Sequence, residues 1–220
     1  MLNPDDYKDY QILGSNVQVI LDGFGSFTLL ASKLLLEAGL GESDEEGIGM
    51  VKLEPTRWYP VPPFLRAFDR IQAEFGEYTL RQSGLYIPKK ASTATDTQLK
   101  DIETAFKYLD AAYYINHAKN GVQMFNPQTG VMMEGIGHYR CRPGANKNNV
   151  IVDIDALYPC AFVGGICEGL ALLFDPKAKT THDPKACRKK GSPVCTFSIT
   201  YNVPGSLPAK PATAPVPPKK

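Results

Sequence analysis

The chain has little charge of either sign to spare, one tryptophan and three histidines: 24 basic residues stand against 23 acidic ones over 220 positions. A formal net charge of +1 lacks the basic footprint of a dedicated nucleic-acid binder, so that class is set aside. No stretch approaches the roughly 18 uninterrupted apolar residues that a membrane span requires. The opening "MLNPDDYKDY" is acidic and has no apolar segment of a secretory leader. These absences predict a cytoplasmic protein with no membrane span and no nucleic-acid partner. The common catalytic signatures are missing as well: no phosphate loop, no nucleophile elbow, no H-E-x-x-H and no dinucleotide fingerprint after a strand. The protein is therefore not expected to be an enzyme.

What is present suits one substantial domain, since 43% of the residues are apolar. Apolar residues three and four apart (Val17, Ile20, Leu21, Phe24, then Leu30 and Leu34) predict a core-facing helix stopped by Gly39 and Gly41, with a kink or close contact at Gly23 and Gly25. "VPPFLRAFDRIQAEFG" predicts a second helix with Phe64, Leu65, Phe68, Ile71 and Phe75 on one face. A third starts near Asp96, a good N-cap, and carries Leu99, Ile102, Phe106, Leu109 and Tyr113 before Gly121.

From Val122 the punctuation changes. "GHYRCR" and the alternating "NVIVDID" read as strands, "CAFVGGICEGLALLF" after Pro159 as a fourth helix, and "KTTH" and "CTFSITY" as closing strands. Gly165-x-x-x-Gly169 offers that helix a flat face for close packing. The predicted class is α+β: an N-terminal helical layer packed on a C-terminal antiparallel sheet with one crossing helix. Residues 1–13 read as a lead, 14–202 as one domain and the Pro/Ala-rich 203–220 as a disordered tail.

Five cysteines, an odd number, point in a reducing compartment to packing or metal binding rather than disulfides. In "THDPKACRKKGSPVCTF", Cys187 and Cys195 flank a turn at "KKGSP", and Cys160 opens the fourth helix, where unpaired N–H groups favour an anion. A tetrahedral site needs four ligands, and His182 or its neighbour Asp183 stands close enough in sequence to complete it. The candidate metal set is Cys160, His182, Cys187 and Cys195. The alternative is a packing cluster of free cysteines with His182 hydrogen-bonded to a carbonyl. Cys167 lies about 10 Å along the helix from Cys160 and cannot share an ion with it; Cys141 reads as packing, and "KACRKK" as a solvated turn.

"YPCAFVGGICEGLALLF" followed by "THDPKACRKKGSPVCTFSITY" resembles the C-terminal half of the 4-vinyl-reductase-like domain, a ligand-binding module related to the sensory domains of phenol-responsive activators. More distantly, that fold is similar to vesicle-tethering (TRAPP) subunits and haem-nitric-oxide-binding domains. The resemblance covers about 45 residues well. It implies a structural zinc ion on Cys160, Cys187 and Cys195; the family's fourth ligand, a glutamate, falls on Pro184, which cannot coordinate. It also implies an apolar cavity, with Phe106, Tyr113 and His117 (beside Tyr114) on the third helix and His138 (beside Tyr139) on a strand as candidates to hold a small apolar or aromatic ligand. Trp58, in a proline-rich loop, reads as a surface anchor or core plug. Haem, with His117 as axial ligand, is not expected: C-x-x-C-H is missing and "YRCR" is not the Tyr-x-Ser-x-Arg propionate clamp. The implied function is a non-catalytic sensor domain that signals through association, as a homodimer. The alternatives are a ligand-free assembly adaptor and an accessory protein for tetrapyrrole or vinyl substrates.

Overall fold

The structure, a computed structural model, describes residues 2–44, 47–94 and 101–202. Asp96, Leu99 and the segment 203–220 lie outside these described residues. In chain order the elements are β1 (Tyr10–Leu13), α1 (Gly14–Asp22), α2 (Thr28–Glu37), β2 (Glu42–Ser43), β3 (Val51–Lys52), β4 (Trp58–Pro60), α3 (Val61–Ala94), α4 (Ile102–Ile115), β5 (His117–Lys119), β6 (Val122–Gln123), β7 (Tyr139–Pro143), β8 (Asn149–Ile154), α5 (Cys160–Phe174), β9 (Lys179–His182) and β10 (Cys195–Thr200). The fold is α+β with antiparallel pairing throughout. No single described helix is long and apolar enough to cross a membrane.

The C-terminal sheet runs β7-β8-β10-β9. Val150, Val152 and Ile154 of β8 are buried while their neighbours are partly exposed, so one sheet face carries the core, as the alternation predicts. Cys195 pairs with Ile154, and Phe197 lies between Val152 on one side and His182 on the other.

A second sheet, β4-β1-β5-β6, was not foreseen in the helical half. Its central strand β1 lies within the first thirteen residues and pairs Ile12 with Tyr59 and with His117. Trp58 stands on the edge strand β4, opposite Leu13, rather than in a loop. The predicted third helix stops at Ile115, because Asn120 (φ 51°) and Gly121 (φ 77°) form a two-residue hairpin turn joining β5 to β6. Its start is capped by Asp101, whose carboxylate accepts from the Thr104 N–H at 2.7 Å.

The first predicted helix divides: α1 and the helical segment Gly25–Glu37 meet at 114°, with Gly25 at φ +56° in the turn. The second is longer than its pattern showed. Gly76 adopts φ 80°, ψ 171°, breaking the helix, and the chain then resumes helical geometry to Ala94.

α3 and α5 make the most extensive contact between elements in the molecule. Three glycines allow it. A Cβ on Gly165 would fall 2.2 Å from the Arg81 carbonyl oxygen, one on Gly169 2.4 Å from that of Leu85, and one on Gly84 2.1 Å from that of Phe162. The two backbones touch where the Gly-x-x-x-Gly face was predicted, and no side chain can yield to make room. Gly165→Ala or Gly169→Ala is expected to destabilise the protein by about 1–3 kcal/mol through overpacking, read as a lower urea midpoint at unchanged slope.

Candidate functional site

Cys160 is the first residue of α5 and Cys195 the first of β10, while Cys187 sits in the connection between β9 and β10. Backbone bonds shape that connection, among them Thr196 N–H to the Ala186 carbonyl at 2.9 Å and Ser192 N–H to that of Cys187 at 3.2 Å, and Gly191 turns it at φ +87°. The Cys160 sulfur lies 2.7 Å from that of Cys195 and 3.9 Å from that of Cys187. All three are buried, and their sulfurs lie within 4.8 Å of one another.

The cluster is electrostatically primed to lose a proton. The Cys195 thiol is held well below its ordinary range by the hydrogen bond from Cys160 first, then by the backbone N–H and guanidinium of Arg188. Cys160 is pushed up by that same bond, by burial and by its sulfur neighbours. Convergent sulfurs with one readily ionised member are the donor set of a soft, thiophilic cation.

Neither expected fourth ligand joins them. His182 lines the same cleft as Cys160 and Cys187, but its ring nitrogens stay outside the sulfur group. The strand register sets it opposite Phe197, and the two rings stack at 4.6 Å and 17°. Asp183 is exposed, and its carboxylate accepts from the Lys185 N–H at 2.8 Å. The "KACRKK" segment also departs from the solvated turn expected of it. Arg188 turns inward and donates to the carbonyls of Asp155 at 3.1 Å, Ala156 at 2.5 Å and Tyr158 at 2.5 Å. Sequence reasoning missed Arg188 and Tyr158; an arginine directly after a cysteine, and an aromatic directly before Pro-Cys, were the signals present.

Of the four expected ligand-binding residues, Tyr113 and His117 lie in ring contact in the interior. Phe106, Tyr113 and His117 are buried. The Tyr113 hydroxyl donates to the Ile136 carbonyl at 2.8 Å, and its ring lies 4.6 Å from that of His117. His117 Nδ1 lies 2.7 Å from the Tyr113 carbonyl, which only accepts, so Nδ1 carries the proton and Nε2 accepts from the Tyr158 hydroxyl at 2.6 Å. Phe64, Phe68 and Phe162 surround Tyr158 with ring centroids at 6.1, 5.9 and 5.3 Å.

His138 stands apart. Its Nδ1 meets Asp110 and its Nε2 meets Glu134, each at 2.8 Å, while its ring stacks on Tyr114 at 5.2 Å. Burial opposes its charged form, but the hydrogen bonds to the two carboxylates prevail and raise its pKa. Where a hollow was expected, aromatic rings of Phe68 on α3, Tyr113 on α4 and Phe162 on α5 converge on Tyr158. Three surface clefts, about 460, 480 and 490 Å³, are lined by other residues.

Burial, opposed only in part by the carbonyl bond, lowers the pKa of His117 to about 4. The unfolded chain, with an ordinary histidine, binds a proton that the folded chain refuses between those values. Stability from this group is complete above pH 6.5 and is lost as pH falls toward 4. The wild type is expected to lose roughly 2 kcal/mol more between pH 7 and pH 5 than His117→Asn does, measured by urea unfolding at the two pH values. His138, with its raised pKa, acts with the opposite sign above 6.5 and is common to both proteins.

No known family's sequence profile matches the chain, and no curated protein matches it in sequence. Solved structures do match. An H-NOX protein from S. oneidensis in the Fe(II) state, with three alanine substitutions, gives a TM-score of 0.61 at 13% identity, covering 89% of this chain and 99% of its own. An H-NOX protein from S. oneidensis in the Fe(II)NO state gives 0.60 at 12%, covering 87% and 100%. An oxygen-binding H-NOX domain related to soluble guanylate cyclases, in its oxygen complex, gives 0.57 at 13%, covering 91% and 100%. These matches correct the cofactor expectation of structural zinc without haem: two of the matched structures are described by an Fe(II) or Fe(II)NO state, so the fold gives no ground for setting haem aside. The side chains of this chain are a separate matter. Both ring nitrogens of His117 are engaged, those of His138 face Asp110 and Glu134, and rings fill the space between the layers, so the residues as arranged do not fit a haem. The fold of this chain is similar to that of H-NOX domains, at 12–13% sequence identity.

Proposed function

We propose that the protein is a non-catalytic regulatory domain that binds a small apolar or aromatic molecule in its interior, and that a metal ion on Cys160, Cys187 and Cys195 fastens α5 to the β9–β10 connection. The observation that carries the first part is the His117–Tyr158 hydrogen bond of 2.6 Å, sealed among aromatic rings at the centre of a sensor-type fold. A polar handle in an apolar interior is what orients a small ligand: a ligand hydroxyl takes the place of the Tyr158 hydroxyl on His117 Nε2. The signal leaves through association between copies. A second reading, a ligand-free assembly adaptor, is favoured by the filled interior.

Thermal-shift titration with phenolic and other apolar compounds separates the two. A sensor is stabilised at micromolar ligand, and His117→Asn abolishes the shift. A melting temperature that no compound moves selects the adaptor.

The metal has its own test. Protein purified without added metal is expected to carry close to one equivalent of a thiophilic ion by elemental analysis, and Cys187→Ser to lose it. Because such binding is coupled to folding, a chelator is expected to lower the melting temperature of the wild type and not of Cys187→Ser. Arg188→Met tests the clamp: stranding the carbonyls of Asp155, Ala156 and Tyr158 is expected to cost about 1–3 kcal/mol for each one left without a partner, seen as a lower urea midpoint, and to loosen the ion.

A further inference from the structure

The cleft of about 480 Å³ beside the cysteines lies between the second half of α3, the first turns of α5 and the strands β9 and β10. Among the described residues, four buried side-chain polar atoms have no hydrogen-bond partner, and three of them, on Glu168, Thr180 and His182, line this one cleft. Glu168 is already ion-paired with Arg81 at 2.6 Å. Thr180 Oγ1 and His182 Nε2 have nothing. Two residues apart on β9, they share a strand face, and both are able to donate.

Leaving such groups dry and unpaired is unfavourable, so two unpaired donors buried in the wall of one cleft indicate a ligand that accepts from both once that wall shifts to expose them. The rest of the cleft defines its body. Ala161, Gly164 and the Phe197 ring give an apolar wall, and Gly164 has no side chain because a Cβ there would lie 2.7 Å from that ring. The exposed Tyr78 ring stands at the rim. Of the side chains lining the space, Arg81 is paired with Glu168 and Lys189 with Glu77, so neither carboxylate is left bare to repel an anion, while Cys160 and Cys187 line it as well.

We propose that this cleft binds a small planar carboxylate: its two oxygens accept from Thr180 Oγ1 and His182 Nε2, and its flat apolar body lies along Phe197. The site is separate from the interior around His117; it shares its cleft with Cys160 and Cys187 of the proposed metal site, but takes neither as a ligand contact.

Benzoate is the probe, titrated into the full chain by calorimetry and followed by ¹⁵N-resolved NMR shifts at residues 180–182. Acetate supplies the carboxylate without the ring, and benzamide the ring without the charge. Benzoate is expected to bind, with acetate and benzamide each at least about tenfold weaker. Thr180→Val and His182→Phe, which preserve the strand and the ring stack, are each expected to weaken benzoate about tenfold, the loss of one charge-assisted hydrogen bond. His117→Asn should leave benzoate affinity unchanged, so failure of the interior reading does not touch this result. Should His182→Phe fail to fold, Thr180→Val, which removes one hydroxyl at constant shape, decides alone. Absence of binding at millimolar benzoate, affinity unaltered by the folded variants, or benzamide binding as tightly as benzoate would overturn the proposal.

Discussion

The guanidinium of Arg188 joins the three parts of the molecule that matter most. It holds the carbonyls of Asp155, Ala156 and Tyr158, the stretch that leaves β8 and turns into α5, while its own backbone N–H points at the Cys195 sulfur. Carbonyls at the end of a strand have lost their ladder partners, and a buried carbonyl must find another donor. Arginine suits the task because its planar fork reaches several acceptors at once and its charge is never lost. Held in this way, the turn delivers Cys160 to the other two sulfurs on one side and the Tyr158 ring to the core on the other.

Sulfur cluster and interior are thereby one continuous structure. Tyr158 accepts from Arg188 through its backbone and donates to His117 through its hydroxyl, so one residue lies between the thiol loop and the buried imidazole. An ion that orders the cysteine loop orders Arg188, and with it the backbone that carries the Tyr158 ring. The close contact of α3 with α5 completes the frame: glycines set backbone against backbone, and Phe68 on α3 meets Phe162 on α5 edge to face at 5.0 Å.

The C-terminal half was legible in the sequence because its signals are local and strong. The alternation of β8, the glycine spacing of α5 and the eight-residue separation of Cys187 from Cys195 each act over a few residues, and the three cysteines do meet. The second sheet was not legible for the complementary reason: β1 has four residues and β6 two, too few to show a period against the helices around them. One signal there was open to reading, the Asn120-Gly121 pair, whose positive φ values suit a tight hairpin. His182 shows the limit of spacing arguments. Its distance along the chain from Cys187 suits a metal ligand, yet the antiparallel register sets it over Phe197, and register depends on a partner strand far away in sequence. The packed interior was hidden similarly, since the aromatic residues of α3, α4 and α5 each read as ordinary core positions until the helices are brought together.

That packed interior sets the terms on which any sensor built on this chain must work. A ligand entering beside His117 meets rings that already touch, those of Tyr113 and Tyr158, and has to displace them; close-packed cores resist gradual deformation. The response is then a shift between two arrangements, closed with the Tyr158 hydroxyl on His117 and open with a ligand there. The ligand favours the open arrangement only by as much as it binds that one better. Tyr158, whose hydroxyl would leave His117, also carries a carbonyl that Arg188 grips, so opening and the cysteine loop act on one residue. A loop made stiff by a bound ion raises the cost of opening and a loose one lowers it. A domain of this construction would respond to metal and to ligand together, through the single residue that both of them need.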